Sequence, residues 1–275
     1  MKSLGSIVSA SDVSDGWLQM IDIALSAPQY QLLHSVVRMA NPTAEDPHVR
    51  TAVDEMLSAR KLAPVETVAN TIFPASLAAR CKDAEELSDR YRRIYARLRK
   101  ESTKNRSGTY FGRLVEYPGL EGKGQLPRLI KLLSREVKKQ RRVALYEMAP
   151  SSPVVDFEPV VENGSAEYEA VLSEPVSVYA PEKDGLPFGF PCLTQLSFQL
   201  DGDRLHGLAL YRGQYLVERA YGNYLGIGRL LDYIASSSGL KCGQLTVMVG
   251  YAQVENGCVI HARNAVKRVR QLALL

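Results

Sequence analysis

The stretch 191–255 decides the fold: PCLTQLSFQLDGDRLHGLALYRGQYLVERAYGNYLGIGRLLDYIASSSGLKCGQLTVMVGYAQVE. Residues 195–200 alternate between polar and apolar, which is typical of a half-buried strand. The Asp201-Gly202 dipeptide predicts a hairpin turn, and a second strand follows over 204–212. Apolar residues then repeat at helical spacing over 223–238, and a last strand is predicted over 244–254.

Three glycines inform the predicted helix. Gly226 and Gly228 each cost about 1 kcal/mol against alanine in a helix interior, so we expect a neighbouring segment to pack closely against both. Gly239 stands where a helix stop is expected. Strands joined as hairpins with helices on one side indicate an α+β fold.

Outward from this stretch, the chain is expected to divide in two. Residues 1–104 form a mostly helical and extended segment packed on the core, and residues 105–275 form the core itself. The individual predictions are an extended segment over 28–38, helices over 44–60 (Thr43 as cap, Pro47 in the first turn), 83–101, 125–139 and 262–274, a loop over 102–112, a strand over 142–148 and irregular structure over 150–190.

The composition of the 275 residues, 45% hydrophobic and 23% charged, is that of a soluble globular protein. The sequence has no run of about 18 apolar residues, so no membrane span is predicted. Residues 1–11 lack the pattern of a secretory signal. The four cysteines are scattered, so we expect reduced thiols and a cytoplasmic location. Neither cysteines nor histidines have metal-ligand spacing, so no metal site is expected.

Positive charge is concentrated in 90–106 and 138–142, although the net charge is only +4. Three interpretations are open: solvated helix faces, a site for phosphate groups, or a nucleic-acid contact. The last is not favoured, because no clear pattern of aromatic residues is interleaved with the cations for stacking on bases.

Short elements in a fixed order resemble the thymidylate synthases and the related nucleotide hydroxymethylases. The resemblance covers about residues 105–255 and implies a thymidylate synthase-like mixed sheet with flanking helices, preceded by an N-terminal helical extension. The elements are Tyr110-Phe111-Gly112, Gln140-Arg141-Arg142, Pro191-Cys192, Leu210-Tyr211-Arg212, Asn223-Tyr224-Leu225-Gly226, Gly239-Leu240 with Gly243, and Tyr251-Ala252-Gln253-Val254.

The resemblance implies that Cys192 is a nucleophile that adds to C6 of the pyrimidine of a nucleotide. A thiol needs cationic neighbours to be reactive near neutral pH, and Arg212 is the candidate. The resemblance also implies that Arg212 binds the nucleotide phosphate, together with Arg141 and Arg142 from the second subunit of a homodimer. Arginine suits this task because its planar fork pairs with phosphate oxygens. The alternative is that Cys192 is a buried apolar thiol.

Asn223 matches the position that reads the pyrimidine edge, since a side-chain amide can both donate and accept. It could instead, or also, cap the helix that it opens. Gln253 and Glu255 stand where the family grips a sugar hydroxyl, and both could bond a sugar. Glu255 could equally be an exposed acid at a strand end.

Several family residues are replaced, and the replacements affect folate binding and proton transfer. The resemblance implies methylenetetrahydrofolate as one-carbon donor, but the aspartate that the family uses for the folate ring is Tyr215 here. The tyrosine tied to proton transfer aligns with Phe111, and Tyr110 beside it would point the other way in a strand. Leu193, Ser197 and Gly213 also stand at positions where the family has different residues.

Two functions are therefore expected as alternatives. One is a divergent synthase-like enzyme that transfers a one-carbon unit to C5 of a pyrimidine nucleotide through a cysteine adduct. The other is a synthase-like dimer that binds a nucleotide or serves as a scaffold, without folate-dependent activity.

Overall fold

A computed structural model describes residues 3–4, 6–101, 109–116, 124–137, 146–148 and 192–272. The strands are β1 Ser3–Leu4, β2 Ile7–Asp12, β3 Gln31–Asn41, β4 Glu147–Met148, β5 Leu193–Asp201, β6 Arg204–Tyr215 and β7 Lys241–Gln253. The helices are α1 Val13–Ser26, α2 Pro47–Ala59, α3 Val65–Ile72, α4 Ala75–Ala78, α5 Ala84–Glu101, α6 Tyr110–Val115, α7 Gln125–Glu136, α8 Tyr221–Ser237 and α9 Val259–Leu272. A π-helical turn, Leu216–Ala220, precedes α8 directly.

One mixed sheet organises these elements, which confirms the α+β class. Its order is β3, β7, β6, β5, β4, with β1 and β2 following one another along the free edge of β3. The predicted hairpin joins β5 and β6, and Gly202 takes a positive φ of 58° in its turn. β6 and β7 run parallel, as strands joined by a crossover helix do, and α8 is that helix.

The first hundred residues contribute a strand inside this sheet. β3 is antiparallel to β7 over most of its length, from Gln31 opposite Gln253 to Met39 opposite Leu245. The hydrogen-bonded sheet therefore runs across the boundary expected at residue 104.

Helices pack on one face of the sheet. α1 contacts β2 and β3, and α8 contacts β6 and β7. The Trp17 indole on α1 is fully buried and donates a 2.8 Å hydrogen bond to the Leu216 carbonyl, which ties α1 to the turn before α8. On the opposite face, one cross-strand row exposes apolar side chains: Ile7 (80% exposed), Met248 (39%) and Leu210 (36%).

Two local predictions were wrong. Helix α2 starts at Pro47 and its cap is Asp46 rather than Thr43, because the Asp46 carboxylate accepts from the His48 and Val49 backbone N–H groups at 2.7 and 3.2 Å. The predicted loop 102–112 ends in a helix, since α6 begins at Tyr110 behind a Thr109 cap. Residues 102–108 lie outside the described residues, as do 138–145 and 150–190.

The glycines of α8 make the expected close contacts. A Cβ on Gly228 would lie 1.9 Å from the Pro42 carbonyl oxygen, and one on Gly226 would lie 2.7 Å from the Ala69 carbonyl oxygen. Gly239 ends the helix with a positive φ of 75°, as predicted. The glycines thus allow α8 to pack directly against the α3 backbone and the loop before α2.

Three adjacent strands change their burial phase at the same level of the sheet. Buried positions are normally two residues apart, but here they are three apart in each strand: Leu32 to Ser35 in β3, Val249 to Ala252 in β7 and Tyr211 to Gln214 in β6. We call this level the kink. Pairing stays in register across it, His34 takes a positive φ of 53° there, and a Cβ on Gly250 would lie 2.9 Å from the Arg212 carbonyl oxygen.

Candidate functional site

Cys192 lies at the kink. The Arg212 backbone N–H donates a 2.8 Å hydrogen bond to the Cys192 carbonyl, which joins the start of β5 to β6 at this level. Cys192 is solvent-exposed, so the alternative of a buried apolar thiol was wrong. The structure therefore brings the predicted nucleophile and its predicted cationic neighbour to adjacent positions of the sheet.

Burial and charge act in opposite directions on this thiol. One side of Cys192 is open to solvent, while its inner side is packed, and this desolvation raises the pKa of the thiol above its ordinary value of 9.0. The positive charges of Arg212 and Arg219 oppose this and lower the pKa. Desolvation outweighs them, so the thiol of the ligand-free protein is protonated at neutral pH.

Tyr110 is the aromatic residue at the site. Its hydroxyl accepts a 3.4 Å hydrogen bond from the Leu193 backbone N–H, directly after Cys192. Burial is the main cause that raises the pKa of Tyr110 to about 12, and the nearby thiol adds to it. The phenol is therefore neutral and able to exchange protons with a group that occupies the space beside Cys192.

Phe111 lies in the core and not at the site. Its side chain is fully buried and packs edge-on against Phe73 and Tyr91. Tyr110 and Phe111 belong to a helix, so the strand geometry used to separate them does not apply. The helix sends Tyr110 to the thiol and Phe111 inward.

Asn223 occupies the first turn of α8, and its predicted capping role was wrong. The π-helical turn 216–220 precedes α8, so Asn223 follows the start of the helix and makes no capping bond. Its side chain is 5% exposed. Within the described part of the chain it has no hydrogen-bond partner, so its amide remains available to a bound molecule.

Glu255 is half-buried rather than an exposed acid at a strand end. Its two carboxylate oxygens accept from the Val217 and Glu218 backbone N–H groups at 3.2 and 2.8 Å, and so cap the turn that leads into α8. Desolvation raises the pKa of this carboxyl, although the two N–H donors act against the rise. The carboxylate therefore positions the turn that carries Arg219.

Gln253 and Tyr215 are neighbours across β7 and β6. The Gln253 amide oxygen accepts a 2.8 Å bond from the Tyr251 hydroxyl, so the amide oxygen is already engaged within the strand. Tyr215 is 48% exposed, so its ring lies at the surface beyond Arg212. Arg141 and Arg142 lie outside the described residues.

Arg219 was missed from the sequence. It lies in the π-helical turn, its guanidinium pairs with Glu218 at 3.0 Å, and its charge reaches both Cys192 and Tyr110. No local pattern marks it, because a basic residue before a helix is common on any surface. Only the path of the chain from β6 into α8 brings it to the thiol.

The described residues contain no group of three or more His, Cys, Asp or Glu side chains able to hold a metal ion. No helix in the described ranges is both long and apolar enough to cross a bilayer. Comparison with known proteins found no matching family model and no matching curated protein.

Proposed function

We propose that this chain is a divergent thymidylate synthase-like protein that acts on a pyrimidine nucleotide at C5, through a covalent adduct of Cys192. The observation that carries the proposal is the exposed Cys192 thiol, bonded through its backbone to Arg212 and within the field of two guanidinium groups. In this reaction the sulfur bonds to C6, the C5–C6 double-bond electrons move toward C5 and the C4 oxygen, and the thiol proton leaves to a nearby base.

The side chains around the thiol support distinct roles. Arg212 suits the phosphate because a guanidinium forms paired hydrogen bonds with its oxygens. The unpaired, nearly buried amide of Asn223 suits the ring edge. Tyr110 is a neutral phenol next to the thiol and suits proton transfer to or from the ring.

Folate does not fit the residues present. By resemblance the family holds the folate ring with an aspartate, and a carboxylate has two oxygens that can accept hydrogen bonds side by side. Tyr215 offers one hydroxyl and an exposed ring there, so it cannot make that paired contact. We derive no step through methylenetetrahydrofolate.

The proposal is tested by intact-mass spectrometry after incubation with 5-fluoro-2′-deoxyuridine monophosphate. A mass increase equal to one nucleotide is expected in the wild type and in the Cys258→Ser control, which changes a buried thiol. Cys192→Ser should abolish it, and Arg212→Gln should reduce it at least tenfold. An adduct that persists in Cys192→Ser would refute the role of Cys192.

A second candidate function is nucleotide binding without catalysis. The raised pKa of Cys192 favours it, because a protonated thiol is a poor nucleophile. It is distinguished by thermal stabilisation: a ligand at 100 times its Kd adds about 2.7 kcal/mol to stability. Stabilisation by deoxyuridine monophosphate without any adduct or turnover would select this function over the first.

We also infer a homodimer through the open face of the sheet. The row Ile7, Val36, Met248 and Leu210 is continuous across four strands, and three of its members are large apolar side chains in solvent. Contiguous exposed apolar surface of this kind marks an association site. A dimer of this kind agrees with the family resemblance, in which sheets pack face to face.

Light scattering after size-exclusion chromatography tests the dimer. Met248→Lys should yield a folded monomer, because it places a charge at the centre of the row. Gln244→Lys lies on the same strand at an already polar, exposed position and should leave the mass unchanged. A monomeric wild type at micromolar concentration would refute this inference.

A further inference from the structure

Two buried polar atoms on β6, the strand that is bonded to Cys192 through Arg212, have no hydrogen-bond partner. The Tyr211 hydroxyl and the Gln214 amide nitrogen are both without a hydrogen bond, and their side chains are 0% and 5% exposed. Buried polar groups in native proteins are almost always bonded to protein or ordered water. Two exceptions at one site indicate that something else bonds to them.

The kink brings these two side chains together. In a regular strand, residues three apart point to opposite faces, but the extra residue at the kink turns both Tyr211 and Gln214 toward the helices. They are therefore successive buried side chains on one face of β6, about 10 Å apart along the strand, and Tyr224 is a neighbour of both. The Tyr211 hydroxyl also lies within the electrostatic reach of Cys192, Tyr110 and Tyr224.

Both atoms act as donors. Tyr224 on α8 donates to the Gln214 amide oxygen at 3.2 Å, which occupies that oxygen and leaves the NH2 group as the unpaired donor. Burial raises the pKa of Tyr211 well above its ordinary value, so its hydroxyl keeps its proton. The groups that act on the Tyr211 hydroxyl are a thiol and two phenols rather than cations. Two neutral donors in such surroundings suit an uncharged acceptor oxygen rather than a phosphate.

We propose that Tyr211 and Gln214 form a two-donor site for one oxygen atom behind Cys192, supplied by water in the free protein and by a ring carbonyl of the bound nucleotide. The nucleotide half of this assignment rests on the proposed function. Two donors on a carbonyl oxygen stabilise the negative charge that develops on that oxygen during thiol addition. They also make a proton on the neighbouring carbon more acidic. The pair would therefore select bases that place a carbonyl at this point.

A double-mutant cycle tests the shared oxygen without any ligand. Tyr211→Phe should lower the folding equilibrium constant, measured by urea unfolding, and most of that loss should vanish in a Gln214→Met background. A coupling of about tenfold is expected for side chains that share one partner. Gln244→Met is the matched control, because Gln244 is an exposed glutamine toward the other end of the sheet. Its effect on the folding equilibrium constant should combine with that of Tyr211→Phe without coupling.

The outcomes separate this inference from the proposed function. If Tyr211→Phe stabilises the protein, or has the same effect in both backgrounds, no shared oxygen exists and the inference is wrong. The sign of the Tyr211→Phe effect decides the matter even if Gln214→Met does not fold. Coupling without any binding of uridine or deoxyuridine monophosphate supports the water-filled site and removes the proposed function.

The ligand half has its own measurement. Isothermal titration with deoxyuridine monophosphate should give about tenfold weaker affinity for Tyr211→Phe than for the wild type. Equal affinity would overturn the assignment of the oxygen to the ring carbonyl, even where the thiol adduct still forms.

Discussion

Replacing Gly228 by alanine should destabilise the protein although alanine is the better helix former. The structure places an added Cβ 1.9 Å from the Pro42 carbonyl oxygen, whereas Cβ contacts under 3.0 Å essentially do not occur. The Pro42 backbone would have to retreat by about 1.1 Å. Such overpacking costs about 1–3 kcal/mol, and a collision with backbone lies at the upper end of that range.

The helix propensity gained is about 1 kcal/mol, so we expect a net loss of about 2 kcal/mol. For a chain of this size, that corresponds to a decrease in the melting temperature of about 4–8 °C. Differential scanning calorimetry measures it directly. Ser236→Ala, at an exposed position of the same helix, is the control and should not lower the melting temperature. A melting temperature for Gly228→Ala equal to or above the wild-type value would show that α8 does not approach the loop as described.

Three further predictions concern titration and buried polar contacts. Because the pKa of Glu255 is raised in the folded state, the stability due to its protonated form is present below about pH 4.5 and is lost as pH rises through the folded pKa. The melting temperature of Glu255→Gln should therefore rise relative to that of the wild type as pH increases above about 4.5, and a difference that stays constant with pH would contradict this. Iodoacetamide should alkylate Cys192 with a half-maximal rate above pH 9, and Arg212→Gln should move that midpoint higher; a midpoint below pH 8 would contradict the desolvation of the thiol. Ser14→Ala should cost about 1–3 kcal/mol in urea unfolding, because it removes a 2.8 Å bond to the buried Tyr221 hydroxyl; a neutral result would mean that this hydroxyl finds another partner.

Patterns that depend on near neighbours were predicted well. The apolar stripe of α5 repeats every three or four residues, and its helix spans Ala84–Glu101 against a prediction of 83–101. Asp201-Gly202 fixed the β5–β6 hairpin because the turn type demands those residues. The two glycines inside α8 indicated close packing because they lower helix stability and need a compensating reason.

Features that depend on distant contacts could not be predicted. The Glu255 carboxylate caps a turn 37 and 38 residues earlier in the chain, and no local signal connects them. The side chain of Tyr110 was misplaced because its segment is short and polar, a pattern that a loop or strand fits as well as a helix does. Arg219 reaches the thiol only through the turn between β6 and α8. The proximity of Cys192 and Arg212 was predicted from the order of short elements in the sequence, whereas the contacts of Glu255 and Arg219 depend on how the fold brings distant segments together.

The kink has a consequence for how this sequence can change over time. A one-residue deletion at this level in only one of β3, β7 and β6 would shift the rest of that strand by one residue against its neighbours. Core side chains would then point to water and surface side chains would point inward. Matching deletions in all three strands at once would be needed to restore a regular sheet, in which Tyr211 and Gln214 would lie two residues apart and stay on one face. We therefore expect natural variants to insert or delete residues in loops and at strand tips while the three strands keep the same count.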